Sequence, residues 1–509
     1  MAIKAYAPFG YEGGIVDVSA TVETGQSSNT QINGLTDSGV CALKDRVQAA
    51  IHNQGLEYPS GQVTVNLFPI DIRKNGSGFD LPVALAILAQ SDKMPHSQDA
   101  KVFAIGELDL SGQLLPVRGT YAAVESARDR GINYAIIPKG SERTPDGIIT
   151  KEVSNLSEAL QALIGMDEAE ALGEPYYGNR ISAYFNLNDS KTTFAPVAGS
   201  EPITNLNGYT DQGLVYALSL AAAGRHHMIV IGAPGCGKTS TVQKMVQLLP
   251  NLDTKEQPVT NRLWSLAGLT KSNSKVVYRP FRMPHQTASI EGICGGGPEC
   301  RPGEISLAHN GVLFLDEAAE FRASVLQMLR VPLETGQITL SRAGRATSYP
   351  ANFQLVMATN PCPCGNYGSK DKVCLCSAKS IEQYWKKFSA PLLERMPIRY
   401  DCNNRLLVTP RGLEDTRERI KRAVERQRSR QGKFNEELTH DELEKFAPLT
   451  ASTKALLNLE VTKNNFTARE TDSIIKVART IADMQSTDFF ELTDGFIQTA
   501  VKLHRKLPF

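Results

Sequence analysis

Gly232-Ala-Pro-Gly-Cys-Gly-Lys-Thr239, directly behind the apolar run Met228-Ile-Val-Ile231, and Val312-Leu-Phe-Leu-Asp-Glu317 decide how this chain folds. The first fits G-x-x-x-x-G-K-S/T in the order strand, glycine loop, helix, which is what a phosphate cradle requires. Glycines let backbone N–H groups turn inward onto phosphate oxygens, and the dipole of the following helix favours the negative charge. Gly232, Ala233, Pro234, Gly235, Cys236 and Gly237, with Lys238, Thr239 and Ser240, are therefore the candidate nucleotide contacts. Lys238 is expected to reach the β- and γ-phosphates and the Thr239 hydroxyl to ligate Mg²⁺. The second apolar run ends in Asp316, a second Mg²⁺ ligand, and Glu317, which would polarise the attacking water. Together they predict hydrolysis of a nucleoside triphosphate.

Working outward, 509 residues suggest about three domains. Hydrophobic residues make up 41% and charged residues 21%, ordinary for a soluble protein, and the formal charge of +1 advertises no global field for nucleic acid. No apolar run approaches the roughly 20 residues of a spanning helix, and Met1-Ala-Ile-Lys-Ala-Tyr6 lacks a signal-peptide core. No membrane contact and a cytoplasmic location are expected. Nine cysteines in so long a chain do not suggest a disulfide scaffold.

Residues 1–165 read as one α/β unit. Leu43, Val47, Ala50 and Ile51 share a helical face, Val63, Val65 and Leu67 alternate as a strand, and further helices are predicted over 80–88 and 120–130, with Gly131 ending the latter. Residues 166–205 have little periodicity and read as a linker. Residues 206–400 form the nucleotide-binding core and 401–509 a helical region. Arg417, Arg419, Lys421, Arg422, Arg426, Arg428 and Arg430 make its first helix basic. That helix is either a solvated face or a contact for nucleic acid or a neighbouring subunit.

Beyond the two Walker motifs, the chain resembles the AAA+ ATPases. Phe353-Gln-Leu-Val-Met-Ala-Thr-Asn360 looks like the first sensor strand, with Asn360 orienting the water. Pro391-Leu-Leu-Glu-Arg395 resembles the arginine-finger segment, and Arg469 in Thr467-Ala-Arg-Glu the second sensor arginine of a helical lid. A finger acting in trans implies a ring. Arg279-Pro-Phe-Arg-Met-Pro-His285, Arg301-Pro-Gly-Glu-Ile-Ser-Leu-Ala-His309 and Leu329-Arg-Val-Pro-Leu-Glu-Thr-Gly336 narrow the resemblance to the magnesium-chelatase-related branch and its ComM (YifB) type. Asn66-Leu-Phe-Pro-Ile70, Phe79-Asp-Leu-Pro-Val-Ala-Leu85 and Val477-Ala-Arg-Thr-Ile-Ala-Asp483 extend it to both flanks. It implies ATP, a homo-hexameric ring on single-stranded or branched DNA, branch migration during natural transformation, and recombination proteins as partners. It also implies a β-hairpin before the first sensor, for which Ile338–Thr347 fits, with Arg342 and Arg345 at the tip facing DNA. Solvated turn residues are the alternative. The segment 285–302 fits the loop inserted before the second Walker motif.

The chain departs from that pattern at Gly224-Arg-His-His227, where Gly-His-Asn is usual, and over 168–210, where the adenine-contacting D-V-x-G-Q segment is expected. Residues 1–165 resemble the proteolytic domain of Lon, best in Gly106-Glu-Leu-Asp-Leu-Ser-Gly-Gln-Leu-Leu-Pro-Val117. Lon needs a serine activated by a lysine. Here Gly78 aligns with the serine and Tyr121 with the lysine, so a non-catalytic domain is expected. The fold class is thus α/β: a Lon-protease-like domain, an AAA+ core with its hairpin, and a helical lid.

Cys362, Cys364, Cys374 and Cys376 give C-x-C-x₉-C-x-C, a four-cysteine clip over 362–376. Four thiolates suit a structural Zn²⁺, with free thiols or disulfides as alternatives. Cys236 occupies a free x position and is given no redox role. His285 is either a contact or locally satisfied, and His309 is expected to be structural. Three functions compete: a DNA translocase, a magnesium-chelatase-like motor remodelling a protein partner, and a Lon-type protease. The front end argues against the second, since chelatase motor subunits are expected to lack it, and the missing dyad against the third.

Overall fold

Gly14-Ile-Val-Asp-Val-Ser-Ala-Thr-Val-Glu23 alternates apolar with polar residues, and a strand of that period turns Val16, Val18 and Ala20 inward. The computed structural model describes residues 2–23, 29–34, 37–69, 74, 77–90, 102–172, 194, 211–272, 274–342, 344–369 and 372–504. That strand sits third in a seven-stranded mixed sheet ordered Asn29–Asn33, Gln62–Phe68, Gly14–Glu23, Ile3–Ala7, Val102–Ala104, Tyr134–Pro138, Ile149–Val153. The helix Asp80–Leu88 is buried along its whole length in this core. Gly78 is half-buried beside it, where an added Cβ would meet Ile105 at 3.3 Å, and Tyr121 is buried in the helix Thr120–Arg128. The helix Leu156–Leu172 runs through residue 166, so the expected linker starts inside a helix; apart from Phe194, residues 173–210 lie outside the described residues.

Met228–Ile231, Val312–Leu315 and Gln354–Thr359 are unbroken apolar or near-apolar runs, as strands covered on both faces must be. They form a parallel sheet ordered Phe281–Arg282, Val312–Leu315, Gln354–Thr359, Met228–Ile231, Ile398–Asp401. Ile231 pairs with Thr359 on one side and Asp401 on the other, and Leu315 with Met357. One edge of the sheet therefore collects residues 232, 316, 360 and 402. Between 290 and 302, in the stretch read as an inserted loop, the chain forms a short helix, Ile290–Cys294, and a two-residue ribbon, Gly295–Gly296 against Arg301–Pro302.

Beyond residue 412 the described chain is helical: Leu413–Gln431, His440–Phe446, Ala451–Asn464, Ala468–Asp483 and Asp494–Leu503. Ile420, Val424, Ile474, Val477 and Ile481 share one core with Leu214, Leu218 and Val230, which fixes this region on the sheet. The arginine-rich helix is largely spent internally. Arg426 Nη1 donates to the carbonyls of Asp483 and Gln485, both at 2.9 Å, and Arg422 to those of Met484 and Gln485. Arg430 forms a two-bond pair with the buried Asp483 carboxylate at 2.7 and 2.9 Å. These cations satisfy the orphan carbonyls where Ala468–Asp483 ends.

The two sheets meet through Thr120–Arg128 packed on Glu256–Ala267. Arg262 is the buried centre of the joint: Nη1 donates to Glu125 Oε2 at 2.8 Å, Nε to the Tyr11 carbonyl at 3.0 Å, and Nη2 to the Glu12 carbonyl and Ser126 Oγ. Its guanidinium also lies 4.9 Å from the Tyr11 ring centroid. Nearby, the Tyr11 amide donates to Thr347 Oγ1 at 3.0 Å, tying the front unit to the middle of the hairpin's second strand.

Candidate active site

The loop after Met228–Ile231 turns at Gly235 and Gly237, whose φ values of 80° and 85° favour glycine, and then enters the helix Lys238–Gln243. Lys238 Nζ donates to the carbonyls of Gly232 and Ala233 at 2.7 and 3.0 Å and to Asn360 Oδ1 at 3.2 Å. Thr239 Oγ1 donates to Asp316 Oδ2 at 2.8 Å. The structure thus brings these residues together as two adjoining hydrogen-bonded pairs, Lys238 with Asn360 and Thr239 with Asp316. A hydroxyl beside a carboxylate is the oxygen donor set of a hard ion such as Mg²⁺, and Thr239 and Asp316 fit it. Glu317 is exposed at the strand end with φ 48°, its amide donating to Asp316 Oδ1 at 3.0 Å. A left-handed non-glycine residue costs about 1–3 kcal/mol and is typical of active sites. Ser240 turns its hydroxyl back onto the Gly237 carbonyl.

Arg395 and Arg469 stand elsewhere. They share a cleft of about 600 Å³ lined also by Glu334, Asn352, Glu437 and His440, and no residue of the phosphate loop lines it. Arg395 donates to Glu334 Oε2 at 2.8 Å and to the Pro391 carbonyl at 2.6 Å. Burial and then the neighbouring Arg469 charge hold its pKa below the ordinary arginine range.

The hairpin pairs Gln337–Arg342 with Arg345–Pro350, closing at Gly344 with φ 77°. Arg342 is exposed at the tip, whereas the Arg345 guanidinium lies 5.4 Å from the Phe9 ring centroid, on the front unit.

The four clip sulfurs all lie within 4.8 Å of one another, with Cys362–Cys364, Cys364–Cys374 and Cys362–Cys374 at 3.4, 3.6 and 3.7 Å. Tetrahedral Zn–S bonds of about 2.3 Å place sulfurs about 3.8 Å apart, so the set fits zinc. The clip also abuts the phosphate loop: an added Cβ on Gly365 would strike the Pro234 ring. Trp385 Nε1 donates to the Pro361 carbonyl at 3.0 Å, bracing the turn between Asn360 and Cys362.

Three features escaped the sequence reading. Arg225, His226 and His227, the departure from Gly-His-Asn, are a polar hub: His226 bonds Glu436 at 2.6 Å and Thr480 at 2.7 Å, and His227 Nδ1 accepts from the Leu355 amide at 2.9 Å. Burial depresses His227 to about 4. Glu334 holds Arg395, and Cys402 abuts the phosphate loop, where a Cβ on Gly232 would lie 2.8 Å from Cys402 Cβ. His309 is buried, depressed by that burial to about 3, and accepts from the Asn352 amide. His285 is exposed and bonds Thr287.

Three family models match: magnesium chelatase, subunit ChlI, over residues 207–406; subunit ChlI of Mg-chelatase over 18–141; and magnesium chelatase, subunit ChlI C-terminal, over 412–503. The chain is 34% identical to the Escherichia coli protein YifB over 512 residues, covering 98% of this chain and 96% of that one. It is 34% identical to the competence protein ComM of Haemophilus influenzae over 498 residues, covering 95% and 93%. The magnesium-chelatase subunit ChlI of Euglena gracilis is 26% identical over 195 residues, 34% of this chain and 55% of that one.

Proposed function

We propose that this chain, which belongs to the magnesium-chelatase-related AAA+ family of the YifB and ComM proteins, is a cytoplasmic, ATP-driven hexameric motor that migrates branched DNA during recombination. The family implies ATPase activity, and the observation that carries the rest is the separation of the arginines from the phosphate loop. A cleft holding Arg395 and Arg469 without any loop residue suits a nucleotide carried by a neighbouring subunit. In a ring, each subunit would then complete the next one's site and stabilise transition-state charge. In such a ring the exposed Arg342 would meet the phosphate backbone, and one relative is named a competence protein, which supports a competence-related role.

ATP with Mg²⁺ supplies the reacting phosphoryl group and the charge that holds it. Thr239 and Asp316 would hold the ion, and loop amides with Lys238 would hold the phosphates in place of the carbonyls that Lys238 now contacts. Glu317 would take the proton from the attacking water, and Asn360 would orient that water. Cys362, Cys364, Cys374 and Cys376 would hold a structural Zn²⁺, leaving no open position on it. The helices of the described residues include none long and apolar enough to cross a membrane.

A chelatase-like motor that remodels a protein is the second reading, favoured by the descriptions of all three family models. One of them covers residues 18–141, so the front unit does not separate the two readings as the sequence reading had it. Steady-state ATP turnover without DNA, with single-stranded DNA and with a four-way junction separates them, Lys238→Ala serving as the blank. Stimulation strongest with the junction is expected. Turnover indifferent to every DNA form overturns the translocase in favour of a protein-remodelling motor.

A further inference from the structure

We propose that Cys236 and Cys402 are a peroxide-responsive thiol pair, a modification site at which a hydroperoxide closes a disulfide against the phosphate loop and shuts off nucleotide binding. The two cysteines are far apart in sequence and meet because Ile398–Asp401 pairs beside Met228–Ile231, with the Cys402 amide donating to the Ile231 carbonyl at 2.8 Å. Gly232 leaves the space both side chains use: a Cβ there would lie 2.7 Å from Cys236 Sγ and 3.0 Å from Cys402 Sγ. Both sulfurs therefore border one point beside Gly232. Cys402 is buried and Cys236 half-buried, so an oxidant from solvent reaches Cys236 first.

The surroundings assign the roles. Lys238 Nζ lies 3.9 Å from Cys236 Sγ. The neighbouring Cys402 thiol and, against burial, the Lys238 charge draw the Cys236 thiol down to about 6, while the neighbouring Cys236 and burial push Cys402 up. A thiolate is the nucleophile of thiol oxidation. Cys236 thiolate attacks one oxygen of hydrogen peroxide, forming the sulfenic acid and releasing hydroxide, which takes up a proton as water. Cys402, losing its proton, then attacks the Cys236 sulfur, forming the S–S bond and expelling a second hydroxide that leaves as water. Two thiols and one peroxide give one disulfide and two waters.

The consequence follows from the loop. Its amides and Lys238 must turn from their carbonyl partners, among them Ala233 for the Cys236 amide, to bind phosphate. A cross-link to Cys402, fixed at the sheet edge, holds the loop against that turn. Cys236, without a role on sequence alone, gains one from a partner the fold supplies.

The proposal rests on the phosphate loop binding ATP, and its test keeps the two apart. Reduced full-length protein is titrated with a fluorescent ATP analogue, treated with hydrogen peroxide and titrated again, with peptide mapping of both samples. A peptide cross-link joining residues 236 and 402, a loss of affinity of about tenfold or more, and recovery with dithiothreitol are expected. Prebound Mg·ATP slows the cross-link. Cys402→Ser binds as the reduced wild type does and shows no loss that dithiothreitol reverses. Oxidation that consumes Cys236 without joining it to Cys402, or joins only the clip cysteines, overturns the proposal. So does cross-linked protein that binds as tightly as reduced protein. Failure of the reduced protein to bind at all refutes the nucleotide reading, and the cross-link map still decides the thiol pair.

Discussion

Replacing Arg262 with methionine tests whether one buried ion pair docks the front unit on the motor. The side chains of Arg262 and Glu125 are 6% and 9% exposed, so removing the cation leaves a buried carboxylate with the longer 3.8 Å pairing to Arg128 Nη2 in place of its hydrogen-bonded partner. Breaking such a pair from one side costs about 3–5 kcal/mol. Burial already holds Glu125 above its ordinary 4.5 with Arg262 in place, so without the guanidinium the carboxyl protonates in preference to staying charged. That sets a sign. With the folded pKa above the unfolded one, the folded state binds more protons, and its stability falls as pH rises through that interval. The deficit of Arg262→Met relative to wild type is therefore larger near about pH 8 than near about pH 5. Hydrogen exchange of the amides in Thr120–Arg128 and Glu256–Ala267 reads the opening of the joint. Arg262→Met with Glu125→Gln removes both charges and should recover more than about half of the loss. A single-variant cost under about 1 kcal/mol, or a double variant worse than the single at every pH, would refute the idea that this pair holds the joint.

Glu317→Gln should retain ATP affinity while lowering turnover about 10²–10⁴-fold, measured by equilibrium binding beside phosphate release; equal loss of both would make Glu317 a binding residue. Purified protein should carry close to one zinc per chain by elemental analysis, and Cys374→Ser should lose most of it and, through the Gly365–Pro234 contact, weaken nucleotide binding as well. Metal content unchanged in that variant would remove the zinc assignment. His309, held at about 3 against an ordinary 6.5, stays neutral when folded, so the unfolded chain binds the extra proton and stability drops as pH falls below 6.5. At about pH 5 its contribution to that drop is on the order of 2 kcal/mol. Thermal melts should show a shallower acid slope in His309→Gln, and an unchanged slope would mean other groups carry it.

The two Walker motifs were legible because each is contiguous: a single strand and the turn after it contain all the chemistry. Asn360 entered the site only through the family resemblance, and its contact with Lys238 depends on Gln354–Thr359 pairing beside Met228–Ile231, which no single stretch of sequence reveals. The clip was readable from spacing alone, as its sulfurs converge within one short segment. The basic helix was read from the wrong end. Charge density suggested a solvated face or a contact for nucleic acid or a neighbouring subunit, but Arg422, Arg426 and Arg430 answer carbonyls and a carboxylate 53 to 62 residues further on, at the end of another helix, which no local pattern announces. Cys236 and Cys402 escaped for the same reason, and Arg345, which does pair with Arg342 beside the turn, has the Phe9 ring next to it, a neighbour that spacing does not show.

The clasp between hairpin and front unit has a mechanical side. Tyr11 holds Thr347 by one N–H···O bond, and Phe9 lies under Arg345. Contacts of these kinds hold about 0.5–1.5 kcal/mol each, a few thermal units. Whatever displaces the hairpin must either drag the front sheet along or snap that clasp and remake it on the return. For a hairpin that moves, the front unit would be ballast on its lever, coupled by a slip clutch whose threshold is set by residues 9, 11, 345, 347 and 349.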